Sequence, residues 1–184
     1  MKCWGDCEYG QCGNGTSGSK NENTTPTTVS GSHSWLELCT GARHTCGIKN
    51  DNKVYCWGDN NNGQLGNGNT TDQTTPTAID TSNTYTMLAC GESHTCGILS
   101  SGTIRCWGNN SEGQLGDGND GTTSTSPINV TVGSNTYTYI AAGAEHTCGI
   151  TSNDDVYCWG RNNQSQLGDN TSADRTTPTQ TSGF

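Results

Sequence analysis

HTCGIKNDNKVYCWGDNNNGQLGNG, residues 44–68, sets two cysteines ten positions apart and follows them with a tryptophan, an asparagine run and three glycines. Three kinds of site use such residues: a metal ligand set, a redox centre, or a hairpin stapled by a disulfide. The stretch recurs as HTCGILSSGTIRCWGNNSEGQLGDG from His94 and as HTCGITSNDDVYCWGRNNQSQLGDN from His146. The chain is therefore an array of units about 50 residues long, a spacing typical of radial or stacked repeats. Trp-Gly occurs four times, at Trp4, Trp57, Trp107 and Trp159, but His-Thr-Cys only three times, so the sequence opens in the middle of a unit.

Each His is preceded by a second recurring segment, WLELCTGARH, YTMLACGESH or YTYIAAGAEH, and each Gly-Gln-Leu-Gly-like element is followed by a polar linker and a Thr-Pro or Ser-Pro start. The pattern predicts four short extended pieces per unit, at 35–40, 44–49, 53–58 and about 76–80 in the first full one. They alternate, are rich in β-branched residues and are separated by Gly, Asn and Pro. No window carries a helical period. The expected fold is all-β, made of propeller blades. Residues 1–34 form a half repeat, and 35–84, 85–136 and 137–184 form one repeat each.

Composition restricts the function classes. Of 184 residues only 28% are hydrophobic, and net charge is −9. Such values alone resemble those of disordered chains, but five Trp, six Tyr and eleven Cys at regular spacing belong to a folded chain held by aromatics, turns and cross-links. With a pI near 4.6 and scattered basic residues, no cationic stripe exists to displace counterions from a phosphate backbone, which argues against a nucleic-acid partner. No apolar run is long enough for membrane insertion. Eleven cysteines point to an oxidising, extracellular or cell-surface location. MKCWGDCEYG is not a secretory signal, so that location implies that Met1 is not the natural start or that an upstream leader has been removed. Asn14, Asn23, Asn69, Asn109, Asn129, Asn163 and Asn170 each open an Asn-x-Ser/Thr sequon and are candidate glycosylation sites.

The paired elements His-Thr-x-Gly-Ile and Trp-Gly-x-Asn-x-x-Gly-Gln-Leu-Gly resemble the repeat of the regulator of chromosome condensation family, in the cysteine-bearing form of its bacterial and secreted members. The resemblance covers essentially the whole chain and implies blades of a seven-bladed β-propeller. Three and a half units are too few for such a ring. The expectation is a portion of a longer polypeptide, or a protomer whose open ends are completed by other copies.

Cys46 and Cys56 flank the turn KNDNK, which in an antiparallel hairpin sets them opposite each other, as a disulfide requires. Cys96 with Cys106, and Cys148 with Cys158, repeat the offset. One His and two Cys per unit, without a close Cys-x-x-Cys pair, do not make a zinc or redox site, so neither metal nor cofactor is expected. His44, His94 and His146 are read as structural residues bonded to neighbouring backbone. Cys7 and Cys12 pair locally or with a neighbouring blade. Cys39 and Cys90, one residue apart in repeat register, are candidates for a bridge between blades. Cys3 stands where Cys56 stands in the next unit, and the resemblance implies a partner in a His-Thr-Cys segment beyond Phe184. Trp4, Trp57, Trp107 and Trp159 are expected to pack between blades, each indole donor finding a carbonyl. The runs of Asp and Asn are out of register for a calcium loop and fit turn chemistry.

No nucleophile and base, and no pair of carboxylates, recurs at a defined spacing, so the chain is not expected to be an enzyme. Family members include a nucleotide exchange factor, an inhibitor of β-lactamases and an ultraviolet-B photoreceptor, and a shared fold does not choose among them. Acidic charge and staples disfavour the exchange factor, and Trp35 is the only tryptophan outside the Trp-Gly pairs. The reading is an extracellular, non-catalytic module that binds a protein or assembles with itself as a homo-oligomer or fibre. Its loops at 59–63, 109–113 and 161–165 would be presented on a repeating frame, with Asp59, Asn61, Asn109, Glu112, Arg161 and Asn163 as candidate contacts. The alternative is a secreted enzyme inhibitor anchored by Tyr9, Tyr55 and Tyr157.

Overall fold

The computed structural model describes all residues except 20, 32, 132, 183 and 184. Fourteen strands form four antiparallel sheets. The first has two strands, β1 (Lys2–Asp6) and β2 (Glu22–Thr28). The second runs in chain order through β3 (Trp35–Thr40), β4 (His44–Lys49), β5 (Val54–Gly58) and β6 (Gln73–Ile79). The third repeats this with β7 (Tyr85–Cys90), β8 (His94–Leu99), β9 (Ile104–Gly108) and β10 (Ser124–Asn129), and the fourth with β11 (Tyr137–Ala142), β12 (His146–Thr151), β13 (Val156–Gly160) and β14 (Arg175–Gln180). These are blades of a β-propeller, not closed into a ring. Among the described residues there is no helix, and so none long and apolar enough to cross a membrane.

The fourth strand begins earlier than the sequence suggests, at Gln73, because the ladder to β5 extends through Gln73↔Gly58 across a bulge. Within each sheet the hairpin register is fixed by local sequence. Ile48 opposes Val54 and Cys46 opposes Cys56, with the same pairing in the next two blades. The glycine after each hairpin cysteine makes room for an aromatic ring from the first strand. A Cβ on Gly47 would lie 2.6 Å from the Trp35 ring, and one on Gly97 2.7 Å from Tyr85.

The core lies between blades. One cluster joins Ile48, Val54, Leu65 and Ile79 to Tyr85, Leu88 and Trp107 of the following blade. The next joins Ile98, Ile104 and Leu115 to Tyr137, Ile140 and Trp159. Trp107 and Trp159 are fully buried at these junctions, and Trp57 is fully buried where the second sheet meets the Gln11 loop of the first. Burying one indole removes roughly 200 Å² from water, about 5 kcal/mol by area. Trp4 departs from the expectation: it is 64% exposed, on a two-stranded sheet whose β1 pairs only with β2. Among the described residues it is thus not buried at a junction.

Candidate interaction loops and the clamp beneath them

In each full blade the third and fourth strands are joined by the segment that begins with the Asp and Asn run, and one asparagine organises it. Asn60 is fully buried. Its Oδ1 accepts the Leu65 N–H at 3.0 Å, while Nδ2 donates to Asn67 Oδ1, the Asn69 carbonyl and the Thr71 carbonyl at 2.9–3.1 Å. Asn110 does the same with Leu115, Asp117 and Asn119. Asn162 repeats it with Leu167, Asp169, Thr171 and Ala173. Its single amide thus satisfies backbone groups on both halves of a loop that forms no sheet. Reading the runs as turn chemistry did not single out these residues, although their signal is in the sequence: an Asn three positions after each Trp of the full units. In the first unit that position is Cys7, and it is bonded to Cys12, which stands where Leu65 stands.

The Gly-x-Leu-Gly end of the loop is a clamp on the next blade. A Cβ on Gly63 would meet the Thr125 backbone at 2.8 Å, and one on Gly66 would meet the Trp107 ring at 2.8 Å, so both need glycine, and both have positive φ. Between them, the Gln64 carbonyl accepts Thr95 Oγ1 at 2.9 Å. The Gln11 carbonyl accepts Trp57 Nε1 and Thr45 Oγ1, and the Gln114 carbonyl accepts Trp159 Nε1 and Thr147 Oγ1. Trp107 packs alike with its Nε1 unpaired.

The histidines join this clamp through side chains and not, as expected from sequence, through backbone. His44 Nε2 lies 2.9 Å from Thr95 Oγ1, and His94 Nε2 2.9 Å from Thr147 Oγ1. Since each threonine hydroxyl donates its proton to a glutamine carbonyl, the imidazole Nε2–H is the donor and Nδ1 carries the lone pair. Burial pushes His44 down to about 4 and His94 to about 3, the latter helped by repulsion from His44 and His146. His146, half-buried, is lowered by burial as well.

The candidate contacts divide accordingly. Asp59 is buried, its carboxylate accepting from Asn61 and Gln64, so the expectation that it faces a partner is corrected: it pins the loop from inside. Asn109 is half-buried and accepts the Ser111 N–H. Arg161 is paired with Glu145. Asn61 and Asn163 are exposed, and Glu112 is half-buried. The most exposed part of each connection lies further on, at 68–72, 118–123 and 170–174, stretches that the sequence reading treated as linker. Of the sequons, Asn69, Asn129, Asn163 and Asn170 are exposed, whereas Asn14, Asn23 and Asn109 are half-buried; Asn23 Nδ2 lies 3.1 Å from Cys7 Sγ.

The aromatics proposed as inhibitor anchors are engaged internally. Tyr9 lies under Arg43, Tyr55 packs edge-on against Trp35, and Tyr157 against Tyr137. The cysteines form five bridges: Cys46–Cys56, Cys96–Cys106, Cys148–Cys158, Cys7–Cys12, and Cys39–Cys90 between the blades of β3 and β7. Cys3 is free among the described residues, and burial raises its thiol pKa.

Solved propellers superpose on this arrangement. Yeast RCC1 (Prp20), in a structure with Kap60 bound, matches all of the chain at 20% identity and TM-score 0.86. Prp20p from Saccharomyces cerevisiae, in a structure reported with its binding to Gsp1p and histones, also matches all of it, at 19% and 0.84. Human WBSCR16 matches 95% at 20% and 0.81. The chain spans 44–46% of those proteins, and likeness at such identity speaks to fold alone. The sequence model of the regulator of chromosome condensation (RCC1) repeat matches residues 3–48, 51–98 and 153–184, and a second model of that repeat matches 37–64, 88–114 and 137–166. With its glycine clamps between blades and its asparagine-held loops in each full blade, the chain belongs to the RCC1 repeat family.

Proposed function

We propose that the chain is a non-catalytic, extracellular or surface-exposed module that binds a protein partner or assembles with copies of itself through the outer halves of its strand-joining loops. The observation that carries this reading is the division of labour within each loop. The clamp half is buried and repeats nearly unchanged. The half at 68–72, 118–123 and 170–174 is exposed, differs from blade to blade, and leaves each blade by the same connection. Differing side chains on a fixed frame are what a recognition surface requires. Five disulfides favour an oxidising compartment. The solved propellers reported with Kap60, Gsp1p and histones support protein partners for this fold. The inhibitor alternative loses ground because its three tyrosines are held within the protein and the exposed loop halves contain no aromatic residue.

The test compares wild type with a variant carrying Lys at Thr70, Asp120 and Ala173, exposed positions whose side chains take no part in holding the loops. Both are examined for capture from the extracellular fraction of the source and for self-association by light scattering over a concentration series. The expected outcome is loss of capture or of assembly with an unchanged melting temperature. Equal capture and assembly by both proteins would place recognition elsewhere, and recovery of the natural protein with all thiols reduced would remove the extracellular part of the reading.

A further inference from the structure

The junction between the second and third sheets holds more chemistry than its staples use. Cys39, Cys46 and Cys56 stand in one row across β3, β4 and β5, since Cys39 opposes Cys46 and Cys46 opposes Cys56. Cys90, from β7 of the following blade, reaches the same place, and the ligand atoms of His44, Cys46 and Cys90 lie within 4.8 Å of one another. Counting ligands unit by unit, as the sequence invites, misses this group because Cys90 comes from the next blade.

We propose that, when its two disulfides are reduced, this junction is a soft-metal site that takes one Zn²⁺ on His44, Cys46 and Cys90 with Cys39 as the fourth ligand. A closed set of one imidazole and three thiolates is a structural zinc site, and zinc lies about 2.0–2.3 Å from such ligands, so a group spanning 4.8 Å closes on it with small side-chain rotations. The sulfur of Cys39 is within reach because it is bonded to that of Cys90. His44 is prepared for the role. Its Nε2–H is held by Thr95, which is in turn held by the Gln64 carbonyl, an outer relay of the kind that orients metal-bound histidines. Its Nδ1 is buried without a partner.

The molecule contains its own control. His94 has the same relay through Thr147 and Gln114 and the same unpartnered Nδ1. Yet the residue opposite Cys96 is Ala89, and Ala142 stands where Cys90 stands. The orphaned nitrogen therefore belongs to the repeat, and the two extra thiols are what make the first junction a site.

Reduction by a dithiol converts Cys39–Cys90 and Cys46–Cys56 to four thiols while two reductant molecules each close their own disulfide. Zinc then displaces the protons of Cys39, Cys46 and Cys90 to solvent, so uptake weakens as pH falls. An oxidising compartment would thus bridge the junction and a reducing one would metallate it, independently of what the loops bind.

The experiment uses the 184-residue chain and the variant C39A/C90A, which turns the first junction into a copy of the second and keeps every other thiol as background. Both are fully reduced, titrated with Zn²⁺ and with Co²⁺ as a spectroscopic probe, and melted with and without zinc. Wild type is expected to bind one more equivalent than the variant, to show tetrahedral thiolate–cobalt bands that the variant lacks, and to prefer zinc by more than about 100-fold over the variant. Zinc should raise the melting temperature of wild type only, or refold it if reduction has unfolded it. Equal uptake by both proteins would overturn the proposal. So would zinc uptake by wild type with no gain in melting temperature and no refolding, the behaviour of thiols chelating in an unfolded chain.

Discussion

The loop at 6–13 and the loop at 59–66 have the same shape and opposite chemistry. Both carry a clamp carbonyl, at Gln11 and Gln64, that holds a threonine of the next blade. The second is closed by Asn60 accepting the Leu65 N–H, the first by a bond between Cys7 and Cys12. The second belongs to a four-stranded sheet and the first to a two-stranded one. What the repeat preserves is therefore the position of the clamp, whether an asparagine amide or a disulfide closes the loop above it. A second contrast follows from the same row: Thr95 and Thr147 are backed by His44 and His94, whereas no histidine among the described residues backs Thr45.

The contrast is most easily broken at Asn60. Asn60→Ala strands a buried N–H and three acceptors and is expected to cost about 3–4 kcal/mol in chemical denaturation, more than removing the disulfide of the first loop. A loss under about 1 kcal/mol would mean that the loop is held from elsewhere.

Acid should separate the two loops as well. The ordinary imidazole pKa of 6.5 falls to about 4 for His44, so the unfolded chain accepts a proton that the fold refuses. This contribution is fully present above pH 6.5 and is lost as pH falls toward about 4, on the order of 3 kcal/mol for one histidine. His94 continues the loss toward pH 3. Hydrogen exchange is expected to quicken at 60–66 and 110–116 over this range before it does at 7–13; simultaneous opening would break the contrast.

C7A/C12A should cost about 2 kcal/mol, because the loop it closes is short. Transplanting the closure sharpens the comparison further: N60C/L65C is expected to form its bridge and to recover part of the stability that Asn60→Ala loses, less than complete because the contacts of Nδ2 and the core packing of Leu65 are lost. Asn163→Asp, exposed in the third full loop and outside the clamp, should change the melting point by the equivalent of less than about 0.5 kcal/mol.

Much of this was legible from residues alone. The strands of the first full unit emerge at, or within three residues of, their expected bounds, and the three hairpin cysteine pairs face each other across β4–β5, β8–β9 and β12–β13. Such features depend on alternation, turn residues and partners ten positions away. The reading failed where the partner was remote. Asp59 looked like a surface acid because the sequence does not display Gln64 folding back onto it. The one-residue offset of Cys39 and Cys90 hinted at a bridge, and only the stagger of adjacent blades makes it.

By itself, then, the sequence determined the repeat, the all-β character, the strand order within a blade and the hairpin staples, because each is set by backbone preference and contacts within one unit. The tertiary structure decided which carbonyls Trp57 and Trp159 meet, which threonines His44 and His94 hold, and that four cysteines and a histidine from two blades converge on one junction. Those contacts join residues some 50 positions apart, and their geometry depends on how one twisted sheet is rotated onto the next, a quantity that no single unit encodes.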